Sequence, residues 1–417
     1  MAPGARDASA ETGLPALKDA FREQFKIGTA INRAIISGRG FRRTPDQVAA
    51  DIALVKAQFN QVVAENEMKW GSLHPRPGKD GYDFTAADAF VEFGGANGME
   101  LAGHTLVWHS QTPNWVFEGT HLPENAPATP SPEKQPPRTT PGPPSDGPPS
   151  PGPGGDGRRR AGGAGGFRPF DLNGPRASRE ELLERMRGHI HTVVGRYKGK
   201  IKVWDVVNEA IADNGPDILR KSPWSVIIGP DFIEKAFEYA HEADPDAILR
   251  YNDYGLEDSG KRARLIRLIK SLQEKKVPVM AIGTQAHLNV SISFETMDQC
   301  LTEIAALGLP IHVTELDVNS AAGGQRGTGA DIAGNTSATQ GGLVEEANRR
   351  LTEAYTGIFS AFIKHHSAVK LVTFWGPNDG NSWRAQGKPL LFDADGKPKP
   401  AFDAVIRLAE GIPAKTP

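Results

Sequence analysis

Apolar positions recur along this chain with two different periods, and the two alternate. Runs rich in β-branched and aromatic side chains occur at FKIGTAI (25–31), FNQVVAEN (59–66), MELAGHTLVWH (99–109), IKVWDVVNE (201–209), AILRYNDY (247–254), VMAIGTQAHL (279–288), PIHVTEL (310–316) and AVKLVTFWG (368–376). Near-continuous apolar runs of this kind read as strands covered on both faces, as in parallel sheets. Between them the spacing changes to one apolar face per helical turn, at DQVAADIALVKAQ (46–58), SREELLERMRGHIHTVVGRY (178–197), DFIEKAFEYAHEA (231–243), GKRARLIRLIKSLQEK (260–275) and NRRLTEAYTGIFSAFIKHH (348–366). Strand and helix in alternation define an α/β protein, and eight strands is the count that closes a (β/α)8 TIM barrel. The same alternation also fits a doubly wound open sheet, and pattern alone does not separate the two.

One stretch breaks the pattern. Residues 122–167 are dominated by Pro, Gly, Ser and Arg and almost lack large apolar side chains. Such a segment cannot bury enough surface to offset its ordering entropy, so it reads as disordered or partly polyproline II. Only about three strands precede it, which places it inside the third βα loop rather than between domains. The expected organisation is an N-terminal segment (1–19) followed by one barrel domain (20–413) interrupted by this low-complexity insertion.

Composition then narrows the partners. Lys plus Arg number 48 against 50 for Asp plus Glu, a balance that gives no electrostatic reason to bind nucleic acid or an anionic membrane. A neutral substrate fits best, and nothing in the sequence calls for an oligomer, so a monomer is expected. Cys300 is the single cysteine, so no intramolecular disulfide can form; its helical setting, FETMDQCLTEIAALG, reads as an inert buried thiol. The first residues, MAPGARDASAETG, have no apolar core of a signal peptide, and no run is long enough to span a bilayer.

Chemistry gathers at the strand ends. The runs close on Asn66, Glu67 and Lys69, on His104, Trp108 and His109, on Asn208 and Glu209, on Asn252 and Tyr254, on Gln285 and His287, on Glu315 and Asp317, and on Trp375. In a barrel these ends share one rim, and burying so many polar groups without a use would be costly. A lone strand-end Glu is most often a rim or ion-pair residue. Glu209 and Glu315 at one cleft, however, are the minimal apparatus for glycoside hydrolysis, one protonating the leaving oxygen and the other attacking the anomeric carbon or activating water. Asn208 is placed to bond a sugar 2-hydroxyl. Gln285 and His287, two apart on one strand, should face the same way and orient Glu315, with Asp317 behind the histidine. Trp108, Trp375 and Trp383 offer flat faces for sugar rings, and Asn66, Lys69, His104 and Gln111 offer polar groups for hydroxyls.

Other chemistries find less support. His104 with His109, and His365 with His366, lack a third ligand at a usual spacing, and there is no HExxH or cysteine cluster, so no metal and no cofactor is expected. The glycine-containing AAGGQRGTGA (321–330) is not a P-loop, and no GxSxG serine elbow occurs.

Eight segments, in order, resemble glycoside hydrolase family 10, the retaining endo-1,4-β-xylanases: VVAENEMKWGSLHP, GHTLVWHSQTPNWV, HTVVGRYKGKIKVWDVVNEA, LRYNDYGLE, GTQAHL, HVTELDV, TFWGPNDGNSW and PLLFDADGKPKPAF. The resemblance covers residues 25–402 apart from the insertion, which is foreign to the family pattern. It implies a cofactor-free enzyme that cuts xylan and xylo-oligosaccharides, with Glu209 as acid/base and Glu315 as nucleophile. It further implies that Glu65, Asn66 and Lys69 bind the sugar one step into the glycone side. His104, Trp108, Gln111, Asn208, Gln285, His287, Trp375 and Trp383 would line the sugar at the cleavage point or its neighbour, and Asn252 and Tyr254 would face the leaving group. Family members are usually exported, so an extracellular or periplasmic place is expected although no signal peptide is visible. The rivals are a β-1,4-glucanase, a hydrolase of short xylo-oligosaccharides or aryl glycosides, and a non-catalytic polysaccharide-binding barrel, which would be expected to have lost a glutamate.

Overall fold

The computed structural model describes residues 14–40, 43–122, 170–320 and 343–411. Residues 1–13, nearly all of the 122–167 insertion and the 321–330 glycine stretch lie outside the described residues. Among the described residues there are ten strands: β1 (Lys26–Ile31), β2 (Gln61–Ala64), β3 (Glu100–Gly103), β4 (Val107–Trp108), β5 (Val203–Asn208), β6 (Ile248–Asp253), β7 (Ala281–Thr284), β8 (His287–Asn289), β9 (Ile311–Asn319) and β10 (Val369–Phe374). Eight of them, β1, β2, β3, β5, β6, β7, β9 and β10, pair in parallel around a ring that the β10–β1 and β10–β9 ladders close. This is the (β/α)8 barrel, and the open-sheet alternative is excluded by the closure. The short β4 and β8 add onto β5 and β9 at the rim.

Two sequence-predicted strands are each broken in two. The run at 99–109 parts into β3 and β4, and the run at 279–288 parts into β7 and β8. In the second case Ala286 takes a left-handed backbone (φ 58°), which a continuous strand does not contain. One helix on the ring has no counterpart in the sequence reading: Thr85–Ala96, TAADAFVEFGGA. Its two glycines weaken intrinsic helix propensity. Gly94 is there for packing, because a β-carbon would come within 2.2 Å of Leu101 on β3.

Local chemistry fixes the other helices. Thr44 and Ser178 form capping boxes with Gln47 and Glu181 at the starts of Pro45–Gln58 and Arg179–Arg196. Losing such a cap costs about 1 kcal/mol. The main apolar core lies between the ring and its helices, whereas inside the barrel a small cluster of Ala30, Val63, Ala102 and Val203 sits with Trp375. Charge also lies inside. Asp205 on β5 and Arg250 on β6 are register partners and form a two-pronged ion pair at 2.6 and 3.0 Å, with Arg250 also 3.0 Å from His312 Nδ1. The pair pulls the Asp205 carboxyl down to about 2 against the opposing push of burial.

Candidate active site

Glu209 and Glu315 arrive from different strands. Glu209 follows the last residue of β5 in a left-handed conformation (φ 57°), and Glu315 lies within β9. Both are nearly sealed from solvent, at 2 % and 5 % exposure. A short relay of amides joins them: Asn208 Nδ2 reaches Glu209 Oε1 at 3.4 Å, and Asn252 Nδ2 donates to both Asn208 Oδ1 and Glu315 Oε1 at 2.9 Å.

The remaining partners differ in charge. Glu209 accepts from two neutral donors, Trp108 Nε1 at 2.8 Å and Gln285 Nε2 at 3.0 Å. Glu315 instead lies 3.2 Å from His287 Nε2, whose Nδ1 is 3.0 Å from Asp317. Asp317 is held in turn by Arg384 and by the Trp383 indole, each at 2.8 Å. With a carboxylate at each ring nitrogen, His287 is raised to about 9, burial opposing the rise and Asp317 leading it.

The two glutamates therefore diverge. Burial raises Glu209; the Gln285 and Trp108 hydrogen bonds pull the other way, while the Asp253 and Glu315 charges add to the rise. Burial pushes Glu315 upward too, but the His287 hydrogen bond and the His104 and His287 charges win and leave it below the ordinary range. One carboxyl is set to hold a proton and the other to remain an anion.

The surrounding residues take the following places. Lys69 Nζ donates to Asn66 Oδ1 at 3.1 Å and lies 5.0 Å over the Trp108 ring; Gln111 bonds the same Asn66 oxygen at 3.3 Å. Burial lowers the Lys69 ammonium, although Glu315 and Glu65 oppose the shift, and burial raises the half-buried Glu65. His104 Nδ1 is 3.0 Å from Asp205 Oδ2, and its ring meets Trp375 edge-on. Trp383 packs edge-on against His287.

Two expectations are corrected. Gln285 serves Glu209 and Asn208 rather than Glu315, because the left-handed Ala286 breaks the alternation and separates it from His287. Asn252, expected to face the leaving group, is fully buried with its amide spent on Asn208 and Glu315, and its oxygen accepts from Thr314 at 2.7 Å. Gly283 makes room for it, since a β-carbon there would sit 2.3 Å from Asn252 Oδ1. Tyr254 is also nearly buried, its hydroxyl bonded to Asp213 and Arg220 at 2.6 Å and its face covered by Lys261.

Several participants were missed from the sequence. Asp205 and Arg250 carried a usable signal, being charges in mid-strand of VWDVVN and ILRYND on paired strands. Arg220, Asp213, Lys261 and Arg384 carried none, since loop and helix charges are ordinarily solvated. Among the described residues no group of three or more His, Cys, Asp or Glu is placed to hold a metal ion, and no helix is long and apolar enough to cross a membrane.

A closed barrel whose rim buries two carboxyls of opposite proton affinity, amid aromatic rings and amides, has the arrangement that glycoside hydrolysis uses. Comparison with known proteins agrees. The family model for glycosyl hydrolase family 10 matches residues 16–129 and 169–408. An endo-1,4-β-xylanase of Geobacillus stearothermophilus is 35 % identical over 407 residues, covering 95 % of this chain and 99 % of that protein. Other curated relatives are longer: the chain spans 31 % of endo-1,4-β-xylanase A of Thermotoga neapolitana and 47 % of that of Caldicellulosiruptor sp.. Among solved structures, xylanase XynB of Paenibacillus barcinonensis superposes with a TM-score of 0.71 at 33 % identity, covering 95 % of this chain and 99 % of that one. A GH10 endoxylanase retrieved from a sugarcane soil metagenome gives 0.74 at 32 %, with 94 % and 100 % covered. The chain belongs to glycosyl hydrolase family 10.

Proposed function

We propose that this barrel hydrolyses internal β-1,4-xylosidic linkages of xylan and xylo-oligosaccharides with retention at the anomeric carbon. Glu209 is the acid/base and Glu315 the nucleophile. The observation that carries the reading is the divergence of two buried carboxyls, since a glycoside hydrolase needs one protonated and one anionic group at rest; retention is taken from the family. The substrate class comes from the relatives, which are named endo-1,4-β-xylanases, and from a solved neighbour bound to xylotetraose.

In the first step a Glu315 oxygen bonds to the anomeric carbon as the glycosidic bond breaks, and the departing oxygen takes the Glu209 proton. Esterified Glu315 no longer carries the charge that helps hold the proton on Glu209. Glu209 then accepts a proton from water as that water attacks the same carbon, and Glu315 leaves as a carboxylate. Asn208 bonds the 2-hydroxyl. Glu65, Asn66, Lys69, His104, Trp108, Gln111, Trp375 and Trp383 contact the sugars, while Gln285, His287, Asn252 and Asp317 hold the two carboxyls in place. The chain acts as a monomer. A polymeric substrate places it outside the cell, although one structural neighbour is described as an intracellular xylanase.

The test is reducing-sugar release from beechwood xylan and carboxymethylcellulose, with early product anomers followed by NMR. Initial β-anomer from xylan alone, lost in Glu209→Ala and Glu315→Ala, is the expected result. Initial α-anomer contradicts retention, and comparable release from carboxymethylcellulose contradicts the substrate. In the same reading 20–413 is one catalytic domain that does not need its 122–167 insertion, so deleting residues 124–166 should leave the rate on linear xylan unchanged.

A further inference from the structure

The conformation of Glu209 calls for an explanation that the reaction itself does not supply. A glutamate at φ 57° pays on the order of 1–3 kcal/mol of backbone strain and persists only where its surroundings hold it. Its N–H is fixed by Asn252 O at 2.9 Å, and the N–H groups of Ala210 and Ile211 by Tyr251 Oη at 3.0 and 3.1 Å. Its carbonyl accepts from Arg220 Nε at 3.2 Å.

Arg220 reaches it because the chain folds straight back. Ala212 N bonds Ile218 O at 3.0 Å and Arg220 N bonds Ala210 O at 2.8 Å, so residues 210–220 form a tight antiparallel return. The far side of the guanidinium is anchored: Arg220 Nη2 lies 3.0 Å from Asp213 Oδ2 and 2.6 Å from Tyr254 Oη. Tyr254 Oη donates to Asp213 Oδ1 at 2.6 Å, and Lys261 Nζ holds that same oxygen at 2.9 Å. Arg220 is thus a rigid two-ended brace, one end on the strained carbonyl and the other on a fixed polar cluster. A planar guanidinium with donors on both edges can span this gap, and an ammonium cannot grip both ends at once.

We infer that Arg220 is a positioning residue for proton transfer, bracing the Glu209 backbone so that its carboxyl meets the leaving oxygen. The inference rests on the assignment of Glu209 as the acid. Its consequence is selective, because only bonds that need protonation to break depend on where that proton sits.

The experiment measures kcat/KM on xylan and on aryl β-xylobiosides whose leaving phenols range from acidic to weakly acidic, for wild type, Glu209→Ala, Arg220→Met and Arg220→Lys. Arg220→Met should lose roughly tenfold to a hundredfold on xylan and on the weakly acidic phenols, yet only about twofold on dinitrophenyl xylobioside. Arg220→Lys should fall between it and wild type. Equal loss on every substrate, or no loss, overturns the inference. Should Glu209→Ala itself show no dependence on the leaving group, the acid assignment fails instead, which separates the two failures. Thermal melting confirms folding, and if the Met variant does not fold, the Lys variant carries the same comparison.

Discussion

Glu209 and Glu315 are the same functional group, buried to nearly the same depth on one rim, and they end with opposite proton affinities. Burial cannot be the source of the difference, because it pushes both upward. The difference lies in what touches them: neutral N–H donors from Trp108 and Gln285 on one, and a histidine flanked by two carboxylates on the other. An indole or amide dipole softens the cost of a buried anion, whereas an imidazolium largely removes it. The division of labour proposed for the two glutamates is therefore written in their neighbours rather than in the glutamates themselves.

The contrast between the two carboxyls is lost most completely by removing Glu315 itself. Glu315→Ala removes the proposed nucleophile and should lower kcat on xylan by on the order of 10⁴-fold or more. Added azide, a small anion able to attack from the vacated space, should restore turnover with an α-glycosyl azide as product. Next comes the histidine. His287→Gln keeps a hydrogen bond but removes the positive charge, so the Glu315 carboxyl rises and the acidic limb of the kcat/KM profile should move to higher pH. The maximum should fall about a hundredfold. A limb that stays in place would mean that His287 is not charged in the free enzyme.

A smaller effect is expected on the other side. Trp108→Phe deletes a donor that lowers Glu209, so that carboxyl rises and the alkaline limb should move to higher pH, with about a tenfold drop at the maximum. The smallest effect is on stability. His287 in the folded state titrates near 9, above its unfolded value of about 6.5, so its contribution is fully present below the unfolded value and fades as pH rises through the folded one. Chemical denaturation of wild type and His287→Gln should differ by about 3 kcal/mol at pH 6, and the gap should close toward pH 9.5.

Much of this was legible in the chain. The alternation of about eight strands with helices was legible in the apolar period, although closure of the ring rather than an open sheet was not, and Glu209, Glu315, His287 and Asp317 stood out by their places at strand ends. What escaped was governed by backbone detail. The role of Gln285 was misread because nothing in GTQAHL announces that Ala286 turns left-handed, and a period of two was assumed to continue through it. Asn252 looked like a rim residue by position, yet room left by Gly283 and a bond from Thr314 draw it under the carboxyls. Arg220 and Arg384 act through hydrogen bonds across 11 and 67 residues, to Glu209 and Asp317, and no local pattern encodes contacts of that span.

The most direct test is a ¹³C NMR titration of the enzyme labelled at glutamate carboxyls, assigned with Glu209→Gln and Glu315→Gln, before and after trapping with a slow 2-deoxy-2-fluoro-xylobioside. Glu315 should titrate below the ordinary glutamate range and Glu209 above it, and esterifying Glu315 should lower Glu209. A Glu209 that titrates as an ordinary carboxyl, or one that does not move when Glu315 is esterified, would mean that its neighbours do not set its proton affinity.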